Sequence, residues 1–445
     1  MRTHPSICLG IPEIILPKPG TDLAKWAVIA CDQYTSEPEY WGRVAEIVGS
    51  APSTLNLIYP EVYLNEANRD ARIAAIRRHM EEYLSSGLFR GIEGFVYVER
   101  QTGTQTRKGL LACLDLEHYD FRKGSTSMIR ATEGTILERI PPRVRIREGA
   151  PLEVPHIMVL IDDPKDTVIG PLRAGRDRLE LLYDFDLMMD SGHLAGRRVN
   201  DTALERGVVR ALEALGEPAA FAAKFGLPGG TPVLLYAMGD GNHSLATAKA
   251  IWDKVKEAAP DRKAIMSSPL RHAMVELVNL HDDALRFEPI HRVVFETTPG
   301  RYPLEEMKDF YRGRYAFEPA SGFAAMKAAV DQTPPGKHRI GVIRAGEFGL
   351  VEIEDPDCNL PVGTLQSFLD IYLKNKGAAG IDYVHGADAV SKLGSYAGNL
   401  GFYLPAMDKQ QLFRTVILDG ALPRKTFSMG EAWEKRFYME ARRLS

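Results

Sequence analysis

Asp240 and His243, framed by glycines in the run Met238-Gly239-Asp240-Gly241-Asn242-His243-Ser244-Leu245, can between them handle a proton or hold a metal ion. Gly239 and Gly241 permit positive φ and let a ligand approach the backbone, while Asn242 or Ser244 is suited to cap a following helix. Backbone N–H groups and the positive end of a helix dipole, directed at one small volume, make a place for a phosphate or a carboxylate. The elements that must hold this arrangement are legible on either side. Val233-Leu234-Leu235-Tyr236-Ala237 reads as a strand, and Leu245, Ala248, Ile251, Trp252 and Val255 recur at helical spacing. Strand, tight glycine turn and helix is also the form of an ordinary connection with a good cap, and the residues alone leave that reading open.

Other chemically capable residues lie before and after the turn. Lys25-Trp26-Ala27-Val28-Ile29-Ala30-Cys31 reads as a buried strand with Asp32 and Gln33 emerging at its end, where α/β proteins place ligands; a strand-end turn is the alternative. Arginines crowd Met128 to Gly134 and Arg139 to Arg147, and such a cluster near a glycine suits multidentate recognition of phosphate oxygens. Arg143, Arg145 and Arg147 alternate with Val144 and Ile146 as one solvated strand face would, which leaves Arg130 and Glu133 as the candidates. Pro155 to Pro164 reads as a strand ending in Asp162 and Asp163, a pair able to hold magnesium or to form a turn, with His156 at its start as a structural residue. His291-Arg292 interrupts an apolar strand, Phe287 to Phe295, and needs partners if buried; facing an anion and facing solvent are both open. Lys425, in the basic segment Leu422 to Gly430, either returns to the main cleft as a phosphate contact or belongs to a linker leading to a last helix.

The 445-residue chain is 45% hydrophobic and 26% charged, as globular proteins are, and is long enough for two or three domains. Its formal net charge of −4 disfavours non-specific binding to nucleic acid or anionic membrane, so any anion site must be local. Cys8, Cys31, Cys113 and Cys358 form no CxxC pair and imply neither a zinc site nor a disulfide framework. The opening Met1 to Pro12 is too short and interrupted for a signal peptide, and no run approaches the length of a membrane span, which predicts a cytoplasmic protein with reduced thiols.

The periodicity predicts an amphipathic helix over 69–87, with Ile73, Ile76, Met80 and Tyr83 on one stripe, and a helix from Asp201 through Leu215. Gly94 to Arg100 and Gly109 to Leu114 predict a hairpin. A composition shift near Thr297 to Gly300 predicts a main domain over 1–298, a smaller α+β domain over 299–405 and a tail over 406–445 that could return to the main cleft. The expected class is α+β, with mixed α/β character.

Asp240-Gly241-Asn242-His243-Ser244 resembles the Asp-Gly-His-His-Arg signature of the ParB and sulfiredoxin-like superfamily, whose members include a free-serine kinase that uses ADP. Across most of its length the chain also resembles a widespread prokaryotic family, numbered ten-fifteen among domains of unknown function and often labelled ParB-like. Ala30-Cys31-Asp32-Gln33-Tyr34, Phe287-Glu288-Pro289-Ile290-His291-Arg292 and Pro423-Arg424-Lys425-Thr426-Phe427 carry that likeness. The resemblance implies a ParB/sulfiredoxin-like core with extra strands and helices, in which Gly241, Asn242, His243 and Ser244 contact phosphate. Ser244 stands where the signature has arginine and Asn242 where it has the first histidine, so positive charge must come from Arg130, Arg292 or Lys425.

The activity expected on that basis is phosphoryl transfer between ATP or ADP, with Mg2+, and a small hydroxy or amino acid such as serine, or removal of phosphate from the phosphorylated form. Asp240, Glu133 or His243 would handle the proton, and Asp32, Gln33 and His291 would meet the substrate. A ParB-like protein that binds nucleotide without turnover is the alternative. A metal-dependent hydrolase built on Asp162, Asp163 and His156 is a third. A small-molecule substrate and a nucleotide are the expected partners, without nucleic acid or membrane, and a homodimer is open.

Overall fold

The computed structural model describes residues 1–64, 66–134 and 140–445. It divides into two compact units, Met1–Leu285 with Glu431–Ser445, and Arg286–Gly430. The composition shift at 297–300 falls inside the second unit, just after its strand Phe287–Thr297, and the tail is divided at Gly430. Both units mix strands and helices, and the fold is α+β. Among the described residues no helix is long and apolar enough to cross a membrane.

The first unit is built on a mixed sheet. Its strands run in the order Glu180–Asp186, His193–Arg198, Val96–Thr102, Gln105–Asp115, His272–Asn279, Met158–Ile161, Tyr236–Asp240, Ile129–Arg130 and Tyr119–Asp120. Alternate residues feed opposite cores. Val96, Val98, Leu111 and Cys113 pack with Trp26, Trp41 and Met80, whereas Tyr97, Leu110, Ala112 and Leu114 pack with Leu212 and Trp252. Because both faces are covered, Leu110 to Leu114 shows no polar alternation. The hairpin forms as the pattern predicts, with Val96 opposite Leu111. The helix Arg69–Ser85 buries Ile73, Ile76 and Met80, and Thr202–Leu215 starts on Asp201, whose carboxylate accepts the N–H groups of Ala203 and Leu204.

Three stretches depart from their sequence pattern. The run from Lys25 to Cys31 yields a short helix, Leu23–Trp26, and a brief strand, Val28–Ile29, that pairs with Phe437–Tyr438. The arginine-rich stretch is a helix, Ile140–Arg147, rather than a strand face: Pro141 and Pro142 suit a first turn, and Arg143, Arg145 and Arg147 reach Glu61, Asp70 and Glu153. Arg139, from the same stretch, lies outside the described residues. The tail ends in the short strands Phe437–Tyr438 and Arg442–Arg443, not in a last helix.

Those final strands are fastened by buried charge. Arg436 is 4% exposed; it donates to the carboxylates of Glu276 and Glu440 and, through Nε, to Pro155 O at 3.1 Å. Glu276 lies mid-strand in the otherwise apolar His272–Asn279, so it needs these partners. Burial opposes its charge, but Arg107 and Arg436 hold its carboxyl below the usual range. Trp26 Nε1 donates to Met439 O (2.9 Å), and Arg442 binds Glu153 (2.8 Å).

The second unit holds an antiparallel sheet in the order Tyr315–Ala320, Glu347–Glu354, Lys337–Arg344, Leu400–Tyr403, Phe287–Thr297 and Ala378–His385, with Phe427–Met429 added to Phe287–Thr297. His291 and Arg292 find their partners inside it. The Arg292 guanidinium, 0% exposed, donates to Ile290 O, Lys425 O (3.0 Å) and Arg424 O (2.9 Å), so it holds the chain turn together instead of presenting itself to an anion. His291 Nδ1 accepts the Leu404 N–H (3.1 Å) and its ring stacks on Tyr403, a structural role in place of a substrate contact. Lys425 is exposed, has φ 55°, and supplies its carbonyl to Arg292.

Two outcomes follow. Arg436→Met leaves Glu276 and Glu440 without their shared cation and should destabilise the first unit by roughly 3–5 kcal/mol. All four tryptophans (Trp26, Trp41, Trp252 and Trp433) lie in that unit, so urea denaturation read by tryptophan fluorescence checks it, and a loss below about 1 kcal/mol refutes it. In the second unit burial pushes His291 and His338 each down to about 4. Their folded values are depressed, so the stability they contribute is present above the ordinary histidine value of about 6.5 and is lost as pH falls towards 4. Each should remove roughly 2 kcal/mol between about pH 7 and 5, and His291→Gln should flatten the urea-midpoint profile followed by circular dichroism.

Candidate active site

The strand Tyr236–Asp240 runs into Gly241, whose φ of 81° is left-handed, and the helix Asn242–Ala258 starts at the next residue. A Cβ at position 241 would lie 3.2 Å from Ile157 Cα, so backbone conformation and close approach both require glycine. Gly241 itself is the N-cap. Asn242 and Ser244 fall within the first turn and cap nothing, contrary to their sequence pattern. Leu245 N–H bonds back to Gly241 O (3.0 Å), so the amides of Asn242 and Ser244 precede the helix's own ladder.

Asp240 closes the turn. One carboxylate oxygen accepts the Gly241 N–H (2.9 Å), and the other lies 3.2 Å from Lys435 Nζ, delivered by the anchored C-terminal segment. Burial works against the Asp240 charge, yet Lys435, His156 and the Gly241 amide together hold its carboxyl below the usual range. It is therefore a fixed anion paired with a cation, and a weak base. Asn242 Oδ1 is buried with no hydrogen-bond partner among the described residues, an acceptor left for a ligand's N–H or O–H.

Beside the turn stands His156. Its Nε2 is 3.0 Å from Ser244 Oγ and 3.7 Å from Asp32 Oδ2, and its Nδ1 is 2.9 Å from Tyr438 Oη. Tyr438 Oη accepts the Cys31 N–H (3.1 Å) and can give its own proton to His156 Nδ1, 2.9 Å away. Neutral His156 then carries its hydrogen on Nε2, directed at Ser244 and Asp32. Ser244 Oγ is an acceptor in this arrangement, which leaves its proton for an anion at the helix start. Gln33 Nε2 steadies Asp32 with a 3.0 Å bond.

A cavity of about 130 Å³ adjoins this cluster, with Cys31, Glu61, Arg143, His156, Ser244 and Tyr438 among its lining residues. Glu61 is set by its own N–H, which donates to Cys31 O (2.8 Å), and its carboxylate takes the Arg143 guanidinium in a close ion pair, with Arg143 Nε at 2.9 Å. Burial pushes the Glu61 carboxyl up; Arg143 offsets part of the rise and Asp32 adds to it.

The family described as protein of unknown function (DUF1015) matches residues 15–372. The chain belongs to this family. A comparison with curated proteins finds no match. Among solved structures, this DUF1015 chain is similar to a free serine kinase in complex with AMP, at 8% identity and a TM-score of 0.37, covering 76% of this chain and 92% of that one. A conserved hypothetical protein from Pyrococcus furiosus matches at 9% identity and a TM-score of 0.35, covering 74% and 93%. SbnI with a C-terminal truncation, from Staphylococcus aureus, matches at 9% identity and a TM-score of 0.34, covering 72% and 82%.

Of the candidates, Asp32, Gln33, Asp240, Gly241, Asn242, His243 and Ser244 are in or beside this one cluster in the DUF1015 chain. Glu133 follows Thr132, whose Oγ1 donates to Met238 O (2.7 Å), and so runs beside the strand entering the turn. Arg130 does not serve a ligand: its guanidinium binds Ser127 O (2.6 Å) and Pro232 O (2.9 Å), and burial pushes it down to about 10. Arg292, His291 and Lys425 belong to the second unit.

The acid pair forms no metal site. Asp163 accepts the Val168 N–H (2.8 Å) in a turn, Asp162 pairs with His281 (2.6 Å) and Lys224 (2.9 Å), and His156 is at the other end of the strand Met158–Ile161. Among the described residues no group of three or more His, Cys, Asp or Glu could hold a metal ion. Sequence reasoning missed Glu61, Lys435 and Tyr438 and gave His156 only a structural or hydrolytic place. An isolated polar residue at the start of a buried strand was the single signal for His156.

The hydrogen-bond pattern predicts that 15N chemical shifts of neutral His156 report protonated Nε2 and bare Nδ1. Tyr438→Phe should let both tautomers appear, and a wild-type Nδ1–H signal would contradict the arrangement.

Proposed function

We propose that this protein moves a phosphoryl group between a nucleotide and the hydroxyl of a small hydroxy or amino acid at the start of the helix Asn242–Ala258. The observation that carries the proposal is the convergence, on one helix N-terminus, of a cation (Lys435), an oriented N–H donor (His156), a hydroxyl (Ser244) and two carboxylates (Asp32 and Glu61) beside a cavity. Phosphoryl transfer asks mainly for positioning and charge stabilisation, and these groups supply both.

In the forward direction the acceptor oxygen bonds to the terminal phosphorus of ATP or ADP, the bridging P–O bond breaks, and ADP or AMP leaves. The phosphoryl oxygens rest on the Asn242 and Ser244 amides and on the Ser244 hydroxyl, which His156 Nε2–H orients, with Lys435 balancing charge. Glu61, its carboxyl pushed up by burial, accepts the hydroxyl proton, and Asp32 holds the acceptor's ammonium group. Asp240 is the carboxylate that would hold a Mg2+ brought by the nucleotide, which supplies neutralisation of phosphate charge. A ParB/sulfiredoxin-like origin of the turn belongs to the same proposal.

Incubation with ATP or ADP plus L-serine, and separately of phosphoserine with AMP or ADP, followed by 31P NMR, tests it. A phosphomonoester signal that forms or disappears is the expected result. Activity should fall as pH drops through the raised Glu61 value, because the protonated carboxyl cannot take the proton. Glu61→Gln should lower kcat by roughly 100-fold or more and erase that acid limb. No phosphate movement in either direction, with wild type equal to Glu61→Gln, refutes the proposal; tight nucleotide binding without product would then favour the regulatory alternative.

A further inference from the structure

We infer that the acceptor is a 2-amino-3-hydroxy acid larger than serine, carrying on its third carbon an apolar group that fills the cavity beside His156 and Ser244. The inference rests on the proposed transfer only for the hydroxyl; recognition of the amino acid stands on the cavity itself.

The cavity has two kinds of wall. Part of its lining is apolar, made by Leu57, Ile76, Met80, Ile146, Leu152 and Met274. The rest includes Glu61, Arg143, His156, Ser244 and Tyr438. The Arg143 guanidinium, already beside a carboxylate, matches the carboxylate of an amino acid, and Asp32 beside His156 matches its ammonium group, which leaves Glu61 for the hydroxyl proton. The hydroxyl then points to Ser244 and His156, and whatever else the third carbon bears points to the apolar wall.

Volume decides how large that group is. About 130 Å³ is close to the size of an apolar cavity that accepts benzene, so it takes one six-membered ring or a branched alkyl group and not a nucleoside. Serine would leave the apolar wall unfilled, forfeiting the contacts that burial provides. One or two apolar groups in such a pocket change affinity by about tenfold or more.

The test uses the full-length chain and calorimetry with L-serine, L-leucine and L-phenylalanine, the last two unable to accept phosphate. Leucine or phenylalanine should bind at least about tenfold more tightly than serine. Ala150→Phe, which fills the cavity from its lining, should cancel that advantage. Binding no tighter than that of serine, or a preference that survives Ala150→Phe in a folded variant, overturns the inference; the wild-type series decides it alone if the variant does not fold. In the 31P assay, 3-phenylserine or 3-hydroxyleucine should be phosphorylated with a lower KM than serine. Transfer to serine with no such preference overturns this inference and leaves the proposed function standing. Preferred binding of leucine with no transfer to any acceptor supports the cavity's occupant and removes the function.

Discussion

The buried Arg436 guanidinium, shared by the carboxylates of Glu276 and Glu440, is the constraint on which the first unit's chemistry depends. Taking three charges out of water is expensive, and only near-complete pairing makes it tolerable. That demand fixes position more than it adds stability. With Arg436 locked over the strand His272–Asn279, the neighbouring residues have no freedom of register: Lys435 falls beside Asp240 and Tyr438 falls against His156. The ion cluster therefore sets the geometry of a proton donor and a cation that lie within two residues of Arg436 in the chain.

Positive charge is divided in an instructive way. The arginines Arg130, Arg292 and Arg442 each direct their planar fork at backbone carbonyls. Five fixed donors are well suited to satisfying several carbonyls at once, and a buried guanidinium so engaged has fewer left for a ligand. At the helix start the anion-attracting field comes from amides and one ammonium. A lysine there is a compact point charge on a flexible stem, whereas a fork would bind one geometry tightly.

Much of the frame was legible in the sequence, and the reasons are local. Gly241 between an apolar run and a helical stripe marks a tight strand-to-helix turn, and the two apolar runs through Val96 and Leu111 on either side of a polar turn mark a hairpin. Asp32 was visible because it ends a buried run. Lys435 and Tyr438 were not visible, since an irregular segment has no period to place its side chains and long-range pairing chooses their neighbours. Arg143 misled through its alternation with Val144, which two prolines and three carboxylates convert into a helix. Arg130 and Arg292 misled because residue type reveals charge but not whether carbonyls have already claimed it.

The chain leaves the first unit at Leu285 and rejoins it at Glu431 only after the whole of Arg286–Gly430 has been made. A ribosome synthesising this protein therefore exposes the glycine turn long before the lysine and tyrosine that complete it. Until then the nascent polypeptide lacks Arg436, so Glu276 has Arg107 without its second cation, and a product broken off before position 431 would lack the segment that fastens the first unit. Translation to the closing strands is thus required for structural completion: Lys435 and Tyr438 arrive together with the Arg436 that joins Glu276 to Glu440.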